Sequence, residues 1–151
     1  MIGVFFNGEL MKTYPGIGRP IDTDNVPGKI KAAFIESVAC FANSCFVASA
    51  IMIRKTLEEI CADKGAVGNN LYKKIEDVFN KVSIPKELLD AMHQLRLLGN
   101  DAAHIEAETY EKIGVEELEL SIDFTQEIIK ALYQYESLLN RLKGLKKPTS
   151  P

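Results

Sequence analysis

The sequence predicts an all-α body of about four to six helices behind an irregular N-terminal arm. Two observations carry this. From about Val26 to Lys143 apolar residues recur at three-to-four spacing, the period of helices that bury one face. Before that point Pro15, Pro20 and Pro27 are interleaved with Gly16, Gly18 and Gly28. Fixed φ angles, missing N–H donors and free glycines break continuous regular structure there.

The elements follow in order. Residues 1–27 form the arm, whose opening "IGVFF" is a short apolar run suited to an edge strand or to lying over the helices. Residues 28–143 are expected to be the helical domain and 144–151 a flexible tail. "KIKAAFIESVACFANSCFVASAIMIRKTLEEICADKG" is helical, with Asn43-Ser44 as a break or kink. Its second half is apolar on nearly every side until Arg54, which marks a central buried helix. Gly65 ends it, with Lys64 in the last turn where a cation is favoured. "NNLYKKIEDVFNK" gives a short helix with Leu71, Ile75, Val78 and Phe79 on one face. Pro85, after Ser83, opens the next as a first-turn proline. The final helix runs from about Val115 to Lys143 with Leu118, Ile122, Ile129, Leu132 and Leu139 as its stripe.

Composition removes several function classes. A net charge of −3 leaves no broad cationic field for nucleic acid or an anionic membrane. Phosphate binding would need a local cluster. "RLKGLKK" (Arg141, Lys143, Lys146, Lys147) is one, and a solvated, fraying end is the other reading of it. Cys40, Cys45 and Cys61 are odd in number and lack a C-x-x-C pair, so they read as reduced core thiols. As metal ligands Cys40 and Cys45 are poorly placed, because five helical residues rotate them apart by about 140°. No basic region precedes the first apolar run, and no apolar stretch approaches the ~20 residues that span a bilayer. A soluble cytoplasmic protein without membrane partners is expected.

One stretch does not fit a plain bundle. In "QLRLLGNDAAH" the residues Arg96, Asn100 and His104 stand four apart. On a helix that spacing makes a slanting polar row. Arg and His among leucines need hydrogen-bonding partners or a cleft. Two readings are open. The row is a functional face, or Gly99 is the residue after the helix end, with Asn100 or Asp101 capping a turn and His104 satisfied locally. His93 lies near the same face. Arg54 and Glu58, at i and i+4, are expected to be structural: half-buried and paired, with Arg96 as a further bridge to Glu58.

The segments "AIMIRKTLEEICADKG", "LYKKIEDV", "IPKELLDAMHQLRLLGNDAAH" and "FTQEIIKALYQY" together resemble a bacterial family. It is called domain of unknown function 4145 and is grouped with the HEPN superfamily (higher eukaryotes and prokaryotes nucleotide-binding). The resemblance covers about residues 26–136. Its signature is R-x-x-x-L-E (Arg54, Leu57, Glu58) followed by R-x-x-x-N-x-x-x-H (Arg96, Asn100, His104). It implies a HEPN-like helical bundle, frequent pairing of two protomers, and membership of phage-defence, restriction or toxin-type systems with partner proteins encoded nearby.

Many HEPN domains are metal-independent ribonucleases, and the resemblance makes Arg96, Asn100 and His104 the candidate catalytic set. Their motif places about four to six residues between Arg and His; here seven intervene, and the residue directly before Asn100 is Gly99. The residue types suit attack by the RNA's own 2′-hydroxyl. His supplies a base near neutral pH, Arg a planar fork of donors for charge growing on phosphorus, and Asn a phosphate or tautomer contact. Neither metal nor cofactor is called for. The alternative is a helical dimerisation module that binds RNA or a nucleotide without cutting. In both cases a homodimer is expected. Arg96 and His104 lie about 12 Å apart along one helix, so a two-fold axis near Asn100 would bring Arg96 of one chain to His104 of the other, with Gly99 permitting the approach.

Overall fold

The computed structural model describes residues 2–6, 9–14, 19–104 and 113–145, the first two stretches for their backbone only. The body is all-α. Within the arm, "IGVFF" is a strand: β1 (Ile2–Phe6) pairs antiparallel with β2 (Glu9–Tyr14), Ile2 opposite Tyr14. The register shifts between Val4 and Phe5, a bulge.

Helices α1 (Gly28–Ala42) and α2 (Phe46–Asp63) are separate, and the break falls where Asn43-Ser44 places it. Ser44 takes φ 60°, a left-handed turn rare outside glycine. Its N–H donates to the Phe41 carbonyl at 2.9 Å, and the Cys45 N–H to Cys40 at 2.8 Å. That pair of bonds is a Schellman closure. The end of α2 repeats it with Gly65 at φ 62°: Gly65 N–H to Ala62 and Ala66 N–H to Cys61. Next comes α3 (Leu71–Lys81), capped by the Asn70 side chain, which accepts from the Lys73 N–H at 2.9 Å. Pro85 is the N-cap residue of α4 (Lys86–Ala103). Finally α5 (Val115–Ile129) passes through a π-helical segment, Lys130–Gln134, into α6 (Tyr135–Gly144).

α2 is the central helix and touches α1, α3, α4 and α5. Ile53, Leu57 and Ile60 along it are fully buried, packed with Phe34 of α1, Ile75 of α3, Met92 of α4 and Leu118 and Ile122 of α5. Burying each such side chain contributes about 1.5–3 kcal/mol. The hydroxyls in this core are satisfied: Ser49 donates to the Ser37 carbonyl at 2.8 Å across α1 and α2, and Thr56 and Thr125 bond back one turn. The expected stripe of the last helix runs past the core. Leu118, Ile122 and Ile129 are buried, whereas Leu139 on α6 faces solvent.

Residues 19–27 are tied down by side chains from α5 and the π segment. The Gln126 amide brackets Asp22, accepting from its N–H at 2.9 Å and donating to its carbonyl at 2.8 Å. Buried Gln134, at the end of the π segment, donates to the Asp22 carboxylate at 3.0 Å and the Asp24 carbonyl at 3.1 Å. Among the described residues, no helix is long and apolar enough to cross a membrane.

Candidate functional site

The site begins with how α4 is seated. Leu89, Met92, Leu95, Leu98 and Gly99 face the core, which turns His93, Arg96 and Asn100 to one flank of the helix. Gly99 lies mid-helix and buried, so it is not the residue after a helix end. A Cβ there would collide with the Arg54 Cβ and stand 3.1 Å from the Ala50 carbonyl oxygen. The missing side chain lets α4 cross closely over α2. That also corrects the expectation that Gly99 opens the way for a second chain: its close approach is made within the protomer.

Arg54 is fixed by this crossing. Its Nε pairs with Glu58 Oε1 at 3.2 Å along α2, and an Nη donates to the Arg96 carbonyl at 3.4 Å. Both side chains are half-buried, as anticipated. The bridge to α4 differs from expectation, because it runs from the Arg54 side chain to the Arg96 backbone. The Arg96 side chain goes elsewhere. Its guanidinium carbon stands 5.5 Å from the centroid of the exposed Tyr72 ring on α3, a cation–π contact of about 0.5–1 kcal/mol.

Tyr72 is shared. Its ring also stacks on His93, with centroids 4.6 Å apart and an interplanar angle of 27°. His93 Nε2 is 2.6 Å from Glu76 Oε1, one turn along α3 from Tyr72. Two buried nitrogens here, His93 Nδ1 and Arg96 Nε, have no hydrogen-bond partner among the described residues. Such groups are uncommon in folded proteins, since an unmet donor or acceptor costs about 1–3 kcal/mol.

Beside this stack lies a cleft of about 280 Å³ between α2 and α3, lined by Arg54, Lys55, Glu58, Glu59, Leu71 and Lys74. Its two carboxylates each hold a cation of their own helix: Glu58 with Arg54, and Glu59 with Lys55 at 2.9 Å. With Lys73, 5.9 Å from the Tyr72 ring centroid, the face carries five cations against Glu58, Glu59 and Glu76. It is locally positive in a chain of net charge −3. Chemically it offers an aromatic platform, fixed guanidinium and ammonium groups, and a hydrogen-bonded imidazole.

Arg96 and Asn100 share the flank as the spacing anticipates, Asn100 half-buried. His104 is the C-cap residue, exposed and extended (φ −91°, ψ 120°), so the ladder leaves helical geometry at its last rung. His93, by contrast, is drawn into the stack. Tyr72 and Glu76 were not anticipated; their only signal is i and i+4 spacing on the polar side of α3. Among the described residues no group of three or more His, Cys, Asp or Glu is placed to hold a metal.

Compared with known proteins, the chain matches the model of the family described as Domain of unknown function (DUF4145) over residues 35–147. No curated protein and no solved structure matches it.

Proposed function

Because this chain belongs to the family Domain of unknown function (DUF4145), we propose that it is a HEPN-like module of a bacterial defence or toxin-type system, and that its α3–α4 face binds RNA or a nucleotide. The observation that carries the reading is Tyr72, an exposed ring in contact with both Arg96 and His93. Single-stranded nucleic acid is recognised by bases stacked on aromatic rings beside fixed cations. A base stacked on the solvent-exposed part of the Tyr72 ring would have Arg96, Lys73 and Lys74 nearby for its phosphates. The surplus positive charge of this face supplies the local cluster that the acidic chain needs.

Titration of a labelled single-stranded RNA, followed by fluorescence anisotropy, tests this. Tyr72→Ala should weaken binding by about 5- to 150-fold, the range of one lost base–aromatic stack, and Arg96→Ala should weaken it and reduce its salt dependence. Affinity should also fall steeply with salt. Equal affinity of both variants and the parent chain would overturn the assignment.

A second reading is metal-independent RNA cleavage with His104 as base and Arg96 and Asn100 on the phosphate, favoured by the solvent access of His104. Since Arg96 and His104 are separated by about 12 Å along α4, this reading requires a homodimer in which two chains complete one groove. Incubation with a mixed RNA pool and no metal decides between the two. Products ending in cyclic phosphate that vanish in His104→Ala establish cleavage, and intact bound RNA leaves the binding module. On either reading the working unit is the helical region 28–143, with Arg54 and Glu58 supporting α4 rather than touching RNA.

A further inference from the structure

The opposite flank of α4 faces α5 across an open groove of about 640 Å³. Its floor is apolar: Leu97, Leu120 and Phe124 are all exposed. Both banks are acidic, with Glu87, Asp90 and Asp101 on α4 and Glu117 on α5, and among the described residues no Lys or Arg lines it. The α4 bank from Glu87 to Asp101 is about 21 Å long at 1.5 Å per residue.

α6 presents the reverse pattern. It buries no residue, and Tyr135, Leu138, Leu139 and Leu142 are exposed, as is Leu145 just beyond its end. At 100° per residue these form one apolar face. Arg141 falls on one side of that face and Lys143 on the other. α6 continues α5 through the π segment, and its apolar face is left exposed. Its own groove is out of reach, because α6 prolongs α5, whose N-terminal half forms one bank.

We propose that α6 of a second copy occupies the groove, leucines on the Leu97–Leu120–Phe124 floor and Arg141 and Lys143 against the two acidic banks. At about 15 Å, a ten-residue helix fits the bank length. Each copy owns one groove and one α6, so two copies satisfy both reciprocally and the assembly closes as a dimer. The interface stands independently of RNA binding at Tyr72, which lies on the other flank of α4.

Sedimentation velocity on the full chain from about 1 to 100 µM tests it, with circular dichroism melts to verify that each variant folds. Leu142→Glu should weaken dimerisation at least tenfold, by setting a carboxylate among four others. The sharper test reverses charge in two chains. R141E/K143E and D90K/E117K should each be monomeric alone, while their equimolar mixture should recover the dimer, since both grooves then face an opposite charge. All four positions are exposed, so the fold should tolerate the changes. A parent chain that is monomeric at 100 µM, a dimer indifferent to these changes, or a mixture that stays monomeric would each overturn the proposal.

Discussion

At the scale of single residues, Gly99 shows how one missing methyl fixes a site. In an exposed helix, Gly→Ala is worth about 1 kcal/mol of added stability. Here the new Cβ meets the Arg54 Cβ and the Ala50 carbonyl, neither of them the far end of a flexible chain. Overpacking of that kind costs about 1–3 kcal/mol, so the clash outweighs the propensity. Gly99→Ala should lower the melting temperature and, by displacing α4, weaken RNA binding at Tyr72 as well. A variant as stable as the parent would show that the two helices can separate at little cost. The Arg54–Glu58 pair works differently. Their ion pair is half-exposed and worth a few tenths of a kcal/mol, so the contribution of Arg54 lies in its bond to the Arg96 carbonyl and its packing under Gly99.

Among elements, the junctions are where side chains do what backbone cannot. The turn between α2 and α3 is held by Asp77, whose carboxylate accepts the Val67 N–H at 2.7 Å and pairs with Lys81 at 2.7 Å. Lys81 in turn donates to the Gly65 carbonyl at 2.6 Å. The Lys81 ammonium first, and the Val67 N–H second, hold the Asp77 carboxyl below its ordinary value. A depressed carboxyl contributes stability above its unfolded-state pKa and loses it as pH falls through the folded value. Asp77→Asn should therefore be less stable than the parent near pH 7, and the gap should close in the acid range below about pH 4. Thermal melts across pH check this, and a gap that widened on acidification would contradict it. The π segment serves a similar end, turning Gln134 inward to hold Asp22 and Asp24. On its other side Tyr133 donates to Asp63 at 2.7 Å, locking α5–α6 to the end of α2.

For the whole molecule, thiol reactivity reports how the bundle opens. Cys61 is fully buried at the centre, and desolvation pushes its pKa up to about 11. Thiolate, the reactive form, is then scarce at neutral pH. Cys40 is half-buried and also raised, chiefly by burial, whereas Cys45 is exposed. Labelling of the native protein at pH 7.5 should modify Cys45 first, and Cys61 only at the rate of global unfolding. Rapid modification of Cys61 would reveal an opening of α2 that the packing does not suggest.

What the sequence by itself determined is what depends on neighbours along the chain. Helical period, the Asn43-Ser44 break, the Gly65 terminus and the start near Pro85 were legible, because propensity and capping act within a turn or two. The Arg96–Asn100 flank was legible for the same reason. The tertiary structure alone decided that Gly99 is a crossing point, because that depends on where α2 passes. It decided that Tyr72 and Glu76 of α3 join His93 and Arg96, which no spacing within α4 encodes. It also decided that Leu139 lies outside the core: periodicity says which face of a helix is apolar, and only the crossing of its neighbours says whether anything covers that face.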